Sequence, residues 1–230
     1  MNNPRQTIDF SSVLASAVHD MKSSLNLLQQ SIDQLGAEMG AESESAKQLL
    51  SRAHYEAARL NTGLVQVLSL YRAEMESLPL NVDECFIEDL LENLHLANEN
   101  YIANKNMVIK IQQQEGLCRY IDSDLVSILL NDVLVNAMRY GKREIHIHAF
   151  EQDDYLIITI EDDGEGYPPS MLESNELTMH ELRISEGRTG LGLFFAKLIA
   201  SAHSEGDKNG SIHLSNGGTL GGSVFTLKLP

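Results

Sequence analysis

A histidine followed directly by a carboxylate lies in a helical stretch near the start of the chain. With Leu14 and Met21 at the inward-facing a positions of a heptad, His19 falls at position f and faces away from the helix–helix seam. An imidazole is a nucleophile near neutral pH when its other ring nitrogen is held by a hydrogen bond, and Asp20 could provide that bond. The pair fits a nucleophilic histidine, although an exposed histidine is more often an ordinary surface residue.

A second motif, NDVLVNAMRYG at residues 131–141, combines a carboxylate, an amide and a cation on one helix. Asp132 and Asn136 are four residues apart and share a helix face, and Arg139 and Tyr140 follow on the next turn. An asparagine oxygen can bind Mg²⁺, which keeps several waters and binds substrate phosphates. Taken alone, the motif fits the solvent-facing stripe of an amphipathic helix equally well.

A third motif, EDDGEGYP at residues 161–168, directly follows a strand. Gly164 and Gly166 allow the backbone to approach a ligand closely. The carboxylate of Asp162 can accept a hydrogen bond from an exocyclic amine such as that of adenine. A plain glycine-rich turn is the alternative, and the ligand spacing of an EF-hand calcium loop is absent.

A fourth motif, GRTGLGLFFAKLIA at residues 187–200, places Gly187, Gly190 and Gly192 at the opening of a helix. Backbone N–H groups and the helix dipole make such an end an anion site suited to a triphosphate. The segment does not match GxxxxGK[ST], which excludes a P-loop, and it does not follow the first strand of a βαβ unit as a dinucleotide fingerprint does.

The composition is that of a folded, acidic chain. Of its 230 residues 43% are hydrophobic, and 17 Lys+Arg against 33 Asp+Glu give a net charge of −16. The apolar fraction excludes a disordered chain, and the negative charge argues against a nucleic-acid partner, since phosphates select a basic surface. No apolar run approaches a membrane span of about 18–20 residues, and no signal peptide is recognised. We therefore expect a cytoplasmic protein without membrane insertion. Because Cys85 and Cys118 lack metal-ligand spacing, we expect neither a disulfide scaffold nor a structural zinc site.

The elements that must position His19 are two long helices in residues 1–78. Apolar residues of the second helix follow a 3-4-3-4 spacing typical of an a/d seam; they are Leu50, Ala53, Ala57, Leu60, Leu64, Val67 and Tyr71. Glycines and polar residues at 36–45 predict the turn between the helices. A lone hairpin of this length leaves apolar surface uncovered, so we predict a homodimeric four-helix bundle. An intramolecular coiled coil packed on the second domain is the alternative.

The other three motifs are positioned by alternating helices and strands in residues 79–230. A boundary near residues 76–81 is predicted because Pro79 and most glycines follow Leu78. The predicted helices span residues 85–103, 123–141 and 191–203. The predicted strands span residues 107–112, 144–150, 155–162 and 211–216, and a last strand closes the chain as a hairpin. Helices gathered on a mixed sheet indicate an α/β sandwich, and with the helical bundle the fold class is α+β. His146 and His148 share one strand face and could bind metal, although a solvated face is the more ordinary interpretation.

In this order, the four motifs resemble the H, N, G1 and G2 boxes of sensor histidine kinases. The closing GGSVFTLKLP also resembles the last strand of the GHKL-type ATP-binding domain of that family. The resemblance covers nearly the whole chain. It implies a dimerisation and histidine-phosphotransfer hairpin in residues 1–78 and an ATP-binding catalytic domain in residues 79–230.

The resemblance also implies roles for individual residues, with ATP and Mg²⁺ as cofactors. His19 would be the phosphoacceptor and Asp20 its acid/base neighbour. Asn136 would hold Mg²⁺, Arg139 would lie near the phosphates, and Tyr140 near the nucleotide. Asp162 would bind the adenine amino group. The residues implied to shape the nucleotide pocket are Gly164, Gly166, Gly187, Gly190, Leu191 and Gly192.

Three positions depart from the family's usual pattern. Ser24 stands where a proline is common, so the first helix should lack a proline kink. Ser23 stands where members that also dephosphorylate their partner carry Thr or Asn; it keeps a hydroxyl, and phosphatase activity stays open. Asp132 stands where Asn is common, and it could act in catalysis by orienting His19, assist Mg²⁺, or simply be tolerated.

The function predicted from the resemblance is that of an ATP-dependent protein histidine kinase of a two-component system. It would phosphorylate His19 and pass the phosphoryl group to an aspartate of a response-regulator receiver domain. We expect its input signal to come from a separate sensor protein. The alternative is a phosphotransfer, adaptor or regulator-phosphatase protein whose ATP-binding domain is not catalytic.

Overall fold

The computed structural model describes residues 53, 57, 80–173 and 190–230. The described residues from 80 onward belong to the second of two compact units of the chain, Glu76–Pro230. The predicted helical hairpin and its dimeric bundle lie outside the described residues, except that Ala53 and Ala57 of the predicted seam are helical and Ala57 is buried. The bundle and the division at residues 78 and 79 therefore stay predictions.

Strands and helices alternate through the described part of the second unit. Its helices are α1 (Ile87–Lys105), α2 (Ser123–Tyr140), α3 (Pro169–Glu173) and α4 (Gly190–Ala202). Its strands are β1 (Asp83–Phe86), β2 (Val108–Gln113), β3 (Cys118–Ile121), β4 (Glu144–Gln152), β5 (Tyr155–Asp162), β6 (Ser204–Glu205), β7 (Lys208–Asn209), β8 (Ser211–Asn216) and β9 (Ser223–Leu229). None of the described helices is both long and apolar enough to cross a membrane.

The main sheet has five strands in the order β2-β4-β5-β9-β8. Only the β2–β4 pair is parallel, and the pairs β4–β5, β5–β9 and β8–β9 are antiparallel. A second, two-stranded sheet pairs β1 with β3, and a short hairpin pairs β6 with β7. Helices gathered on a mixed sheet confirm the α/β sandwich predicted for this part of the chain.

The core lies between one face of this sheet and the helices. Alternate residues of each strand point inward, so Ile145, Ile147, Ile160 and Phe225 are at most 2% exposed. Helix α2 supplies a fully buried stripe that includes Leu130, and it packs against α1, α4 and β5. Each such side chain stabilises the fold by about 1.5–3 kcal/mol when buried. The opposite sheet face carries polar side chains such as His146, Glu161 and Lys228 together with buried Ile157 and Val224.

One predicted element boundary needs correction. The helix predicted from Cys85 begins at Ile87, because Cys85 and Phe86 are held in β1 by pairing with β3, a contact between distant parts of the chain that helical periodicity cannot reveal. Strand β3 was not predicted at all. The turn between β4 and β5 is tight: Asp153 and Asp154 both take positive φ, as the tightest hairpin turns require.

A hydrogen-bonded chain ties the start of the described unit to two helices. Asn81 donates its backbone N–H to the Asp122 carboxylate at 2.8 Å, and this carboxylate also caps α2 by accepting from the N–H of Leu125 at 3.0 Å. The Asp122 N–H donates in turn to Nε2 of buried His203 at 3.0 Å. Since Nδ1 of His203 lies 2.8 Å from the carbonyl of Ile199, the ring carries its proton on Nδ1.

A candidate nucleotide site at the end of strand β5

The end of β5, the end of α2 and the start of β9 meet at one place, and glycine makes this approach possible. A Cβ atom on Gly164 would lie 2.6 Å from the carbonyl oxygen of Tyr140, and one on Gly222 would lie 2.3 Å from the carbonyl oxygen of Asp162. Gly141 ends α2 in an extended conformation and not in a left-handed one. A Cβ atom at this position would lie 2.7 Å from the carbonyl oxygen of Ala137. The glycines therefore serve close packing of backbone segments around one carboxylate.

That carboxylate is Asp162, whose side chain belongs to the core face of the sheet. It is only 3% exposed. Its Oδ1 accepts hydrogen bonds from the backbone N–H of Gly164 at 2.7 Å and of Ser223 at 3.3 Å, and its Oδ2 accepts from the Ser223 hydroxyl. A carboxylate has about four acceptor positions, so these three bonds leave one free for a ligand donor.

Ser223 is a site residue that sequence reasoning missed. The sequence offers a possible indication, because Ser223 follows the glycine pair Gly221 and Gly222 at the beginning of the last strand. Only the pairing of β9 beside β5 shows that its hydroxyl reaches Asp162, some sixty residues away in the chain. The hydroxyl and the backbone N–H together fix the carboxylate in one orientation.

Tyr167 and Asn216 form a second, unpredicted part of the same region. The N–H of Tyr167 donates to Oδ1 of Asn216 at 2.7 Å, and the Asn216 amide donates back to the Tyr167 carbonyl at 2.9 Å. Gly166 lies between Asp162 and this anchor with φ of +86°, and a Cβ there would lie 2.7 Å from the Asn216 side chain. Burial and the nearby Asp162 carboxylate raise the pKa of Tyr167 to about 12, against a hydrogen bond to Ser223 that lowers it. The phenol is therefore neutral at physiological pH.

The four residues singled out on α2 lie along its last three turns. Asn136 and Arg139 are exposed, and Tyr140 is 62% exposed, with the Arg139 guanidinium 5.5 Å from its ring centre. The carbonyl of Tyr140 adjoins Gly164, so this end of the helix borders Asp162. Burial raises the pKa of Asp132 above its usual value of 3.8.

The fourth motif is described in part. Helix α4 begins at Gly190 and carries Gly192 in its first turn, as predicted for a helix-opening segment. Gly187 and the side chain of Leu191 lie outside the described residues, as do His19, Asp20 and Ser23. The roles assigned to these residues stay predictions.

The histidine pair on β4 is engaged with the protein itself. The rings of His146 and His148 stack with their centres 6.0 Å apart. His146 reaches Glu144 through Nε2 at 2.9 Å and Thr219 through Nδ1 at 3.3 Å. Within the described ranges no group of three or more His, Cys, Asp or Glu side chains could hold a metal ion. These contacts hold His146 against its neighbours, and the choice between a metal-binding pair and a solvated face stays a prediction.

Comparisons with known proteins agree with this architecture. Residues 121–230 match the family described as histidine kinase-, DNA gyrase B-, and HSP90-like ATPase. Sensor protein SrrB of Staphylococcus aureus (strain NCTC 8325 / PS 47) is 26% identical over 224 residues, which cover 94% of this chain and 37% of SrrB. The chain thus spans well under half the length of the curated relatives it matches.

Solved histidine kinases share the fold. The structure of AdeS from Acinetobacter baumannii superposes with a TM-score of 0.60 at 21% identity, over 92% of this chain and 96% of the other. Full-length ShkA, solved in complex with AMPPNP, gives a TM-score of 0.63 at 18% identity, over 95% of this chain and 45% of the other. Residues 121–230 thus match the histidine kinase-, DNA gyrase B- and HSP90-like ATPase family, and the chain resembles sensor histidine kinases in sequence and in fold.

Proposed function

We propose that the chain is an ATP-dependent protein histidine kinase, which phosphorylates its own His19 and passes the phosphoryl group to an aspartate of a response-regulator receiver domain. The observation that carries this proposal is the buried Asp162 carboxylate, held by Gly164 and Ser223 with an acceptor position to spare. Two comparisons favour ATP as the ligand. Asp162 lies in the region that matches the histidine kinase-type ATPase family, and the similar ShkA structure was solved with AMPPNP.

The hydrogen-bond acceptor that Asp162 offers matches the amine donor of adenine. The fixed carboxylate can accept from an exocyclic amine, which distinguishes adenine from bases that present a carbonyl there. A Cβ on Gly164 would lie 2.8 Å from Oδ1 of Asp162, so glycine at this position keeps the space beside the carboxylate free of a side chain. ATP, when bound, supplies the phosphoryl group that is transferred.

The phosphate side is assigned to α2 and α4. Asn136 would hold Mg²⁺ through its amide oxygen, and Arg139 would neutralise phosphate charge, since both are exposed near the α2 end that borders Asp162. The helix opening at Gly190 and Gly192 would direct backbone N–H groups at the same phosphates. Catalysis of phosphoryl transfer then consists mainly of positioning and charge neutralisation.

The acceptor is assigned to the N-terminal segment. Asp20 would hold the tautomer of His19 that leaves one ring nitrogen free to attack. We further propose a homodimer through residues 1–78, a separate protein as the source of the input signal, and a cytoplasmic location. The second candidate function keeps the same domains without kinase activity: a phosphotransfer or adaptor protein, or a regulator phosphatase in which Ser23 takes part.

Incubation with γ-labelled ATP separates these functions. His19→Gln should abolish incorporation of label while ATP binding and the melting temperature stay as in the wild type. Asp20→Asn should slow incorporation by about 10²-fold, the scale of a lost acid/base contribution. The label should be lost in acid and kept in alkali, as for a phosphoramidate. Wild-type incorporation by His19→Gln would refute the assignment, and no incorporation by the wild type with ATP binding intact would favour the second candidate.

A further inference from the structure

Among the described residues, β2 is an edge strand, and one row of its backbone groups has no partner strand. β2 pairs only with β4 among the described strands. In this parallel pair the N–H of Val108 donates to Arg143 at 2.9 Å, and the N–H of Gln114 donates to Ala149 at 2.9 Å. Because bonding alternates along a parallel ladder, the intervening odd-numbered residues direct their N–H and C=O groups away from β4. The outward groups belong to Ile109, Ile111 and Gln113.

Cavities flank this edge on both faces of the sheet. On the helix side, a cavity of about 300 Å³ lies between α1 and β2, and Leu96 and Ile111 line it. On the other side, a cavity of about 310 Å³ is lined by Gln112, Gln114 and His148. Side chains of an extended strand point alternately to opposite faces. A strand added beside β2 would therefore place successive side chains in the two cavities.

In the described part of the chain, the groove between α1 and β2 contains exposed apolar side chains and polar atoms without hydrogen-bond partners. Leu96 is 55% and Ile111 37% exposed. Nδ1 of His95 and Oε1 of Gln113, both in the groove lining, are buried without a hydrogen-bond partner. A buried polar atom left unpaired costs about 1–3 kcal/mol. A ligand that brings hydrogen-bond groups as well as apolar surface would supply partners for these atoms.

The acidic side chains in the groove favour a basic ligand. Glu88 and Glu92 line the same cavity, and both are exposed. The whole chain carries a net charge of −16. A segment with lysine or arginine next to apolar residues matches this lining, whereas an acidic segment is repelled.

We propose that β2 and the groove beside α1 form a docking site for an extended, basic and apolar segment of a partner protein, which adds to the sheet as a sixth strand. Backbone bonds to Ile109, Ile111 and Gln113 would supply affinity, and the two cavities would supply side-chain specificity. The site lies at the β2 edge, where β4 separates it from β5 and Asp162. Docking therefore leaves the nucleotide site open.

The test measures binding of a fluorescent peptide, Thr-Val-Thr-Lys-Thr-Val-Thr with blocked ends, to the full chain by anisotropy. Ile111→Pro removes an outward N–H without removing a bond to β4, and Ile111→Val keeps that N–H. Glu92→Lys reverses a charge in the groove, and Glu99→Lys reverses an exposed charge on the same helix outside the groove lining. The proline and Glu92 variants should weaken binding by about tenfold or more, and their two controls by less than about threefold.

Two further arms keep the result decisive if Ile111→Pro fails to fold. N-methylation removes backbone N–H donors from one edge of the peptide strand when it is placed at odd positions, and from the other edge when it is placed at even positions. Only one edge faces β2, so only one of the two peptide series should lose binding to the wild-type protein. A peptide with glutamate in place of lysine should not bind. Equal binding of both methylated series, unchanged binding by Glu92→Lys, or no binding of the basic peptide would overturn the proposal. So would self-association of the wild type that Ile111→Pro abolishes, because the edge would then pair with a second copy.

Discussion

Replacing Asp162 by asparagine tests the nucleotide site with a change of one atom. Asn keeps an oxygen that can accept from the N–H groups of Gly164 and Ser223, which lie 2.7 and 3.3 Å from Oδ1. Its amide nitrogen takes the place of Oδ2, where the Ser223 hydroxyl can rotate to accept. The three bonds survive as neutral bonds, so we expect a loss of stability of only about 1 kcal/mol.

The ligand loses far more, because the asparagine amide presents a donor where the adenine amine also donates. A donor facing a donor costs about 1–3 kcal/mol or more, which corresponds to at least about a tenfold loss of ATP affinity. Calorimetric titration with ATP measures this, and thermal unfolding verifies the fold. Wild-type ATP affinity in a folded Asp162→Asn protein would refute the assignment.

Ser223→Ala is the matched control for this experiment. It removes the hydroxyl donor to Asp162 but leaves the carboxylate able to accept from the ligand. We expect a stability loss of about 1–3 kcal/mol, because a buried acceptor loses a partner, with ATP affinity changed by less than about threefold. If both variants lost ATP affinity equally, orientation of the side chain, and not its charge pattern, would determine binding.

Three further predictions concern packing, pH and assembly. Gly222→Ala should destabilise the fold by about 1–3 kcal/mol in chemical denaturation, because its Cβ would lie 2.3 Å from the Asp162 carbonyl; unchanged stability would show that β9 can shift. Burial raises the pKa of Asp132, so its ionised form opposes folding as pH rises through the usual value of 3.8. Asp132→Asn should therefore raise the melting temperature at neutral pH, with the gain fading toward acid pH; a lower melting temperature at neutral pH would mean that a cation partners the carboxylate. Leu60→Asp with Leu64→Asp should convert the full chain from dimer to monomer in sedimentation, since buried unpaired charges are costly, whereas a monomeric wild type would contradict the proposed bundle.

The sequence predicts those parts of the fold that depend on local periodicity. Strands β4 and β5 alternate clearly, and α2 combines an apolar stripe with a terminal glycine, so each was located within about two residues. Strands β1 and β3 were not predicted, because each has only four residues and forms by pairing with a strand that is distant in the sequence. Residues such as Cys85 and Phe86 are apolar enough to extend the helical pattern of α1, and only pairing shows where the helix begins.

The candidate site also contains residues that the sequence predicts and residues that only the structure reveals. Asp162, Gly164 and Gly166 stand in one short motif whose residue types indicate their chemistry. Ser223 and Asn216 come from later strands, and their approach to the motif depends on the order of strands in the sheet. The glycine pair before Ser223 indicates where the last strand begins, but no spacing connects Ser223 or Asn216 to Asp162, so these contacts emerge only from the three-dimensional structure.

The bond between Asn81 and Asp122 gives the described unit a mechanical property. A pull on the chain at residue 81 acts first on the carboxylate that caps α2, through a bond of 2.8 Å. Helix α2 has 18 residues, a rod of about 27 Å at 1.5 Å per residue, and its far end borders Asp162. His203 ties the near end of this rod to α4. The beginning of the unit, helix α2 and the nucleotide side are thus joined by one continuous set of contacts that starts at the Asn81–Asp122 bond.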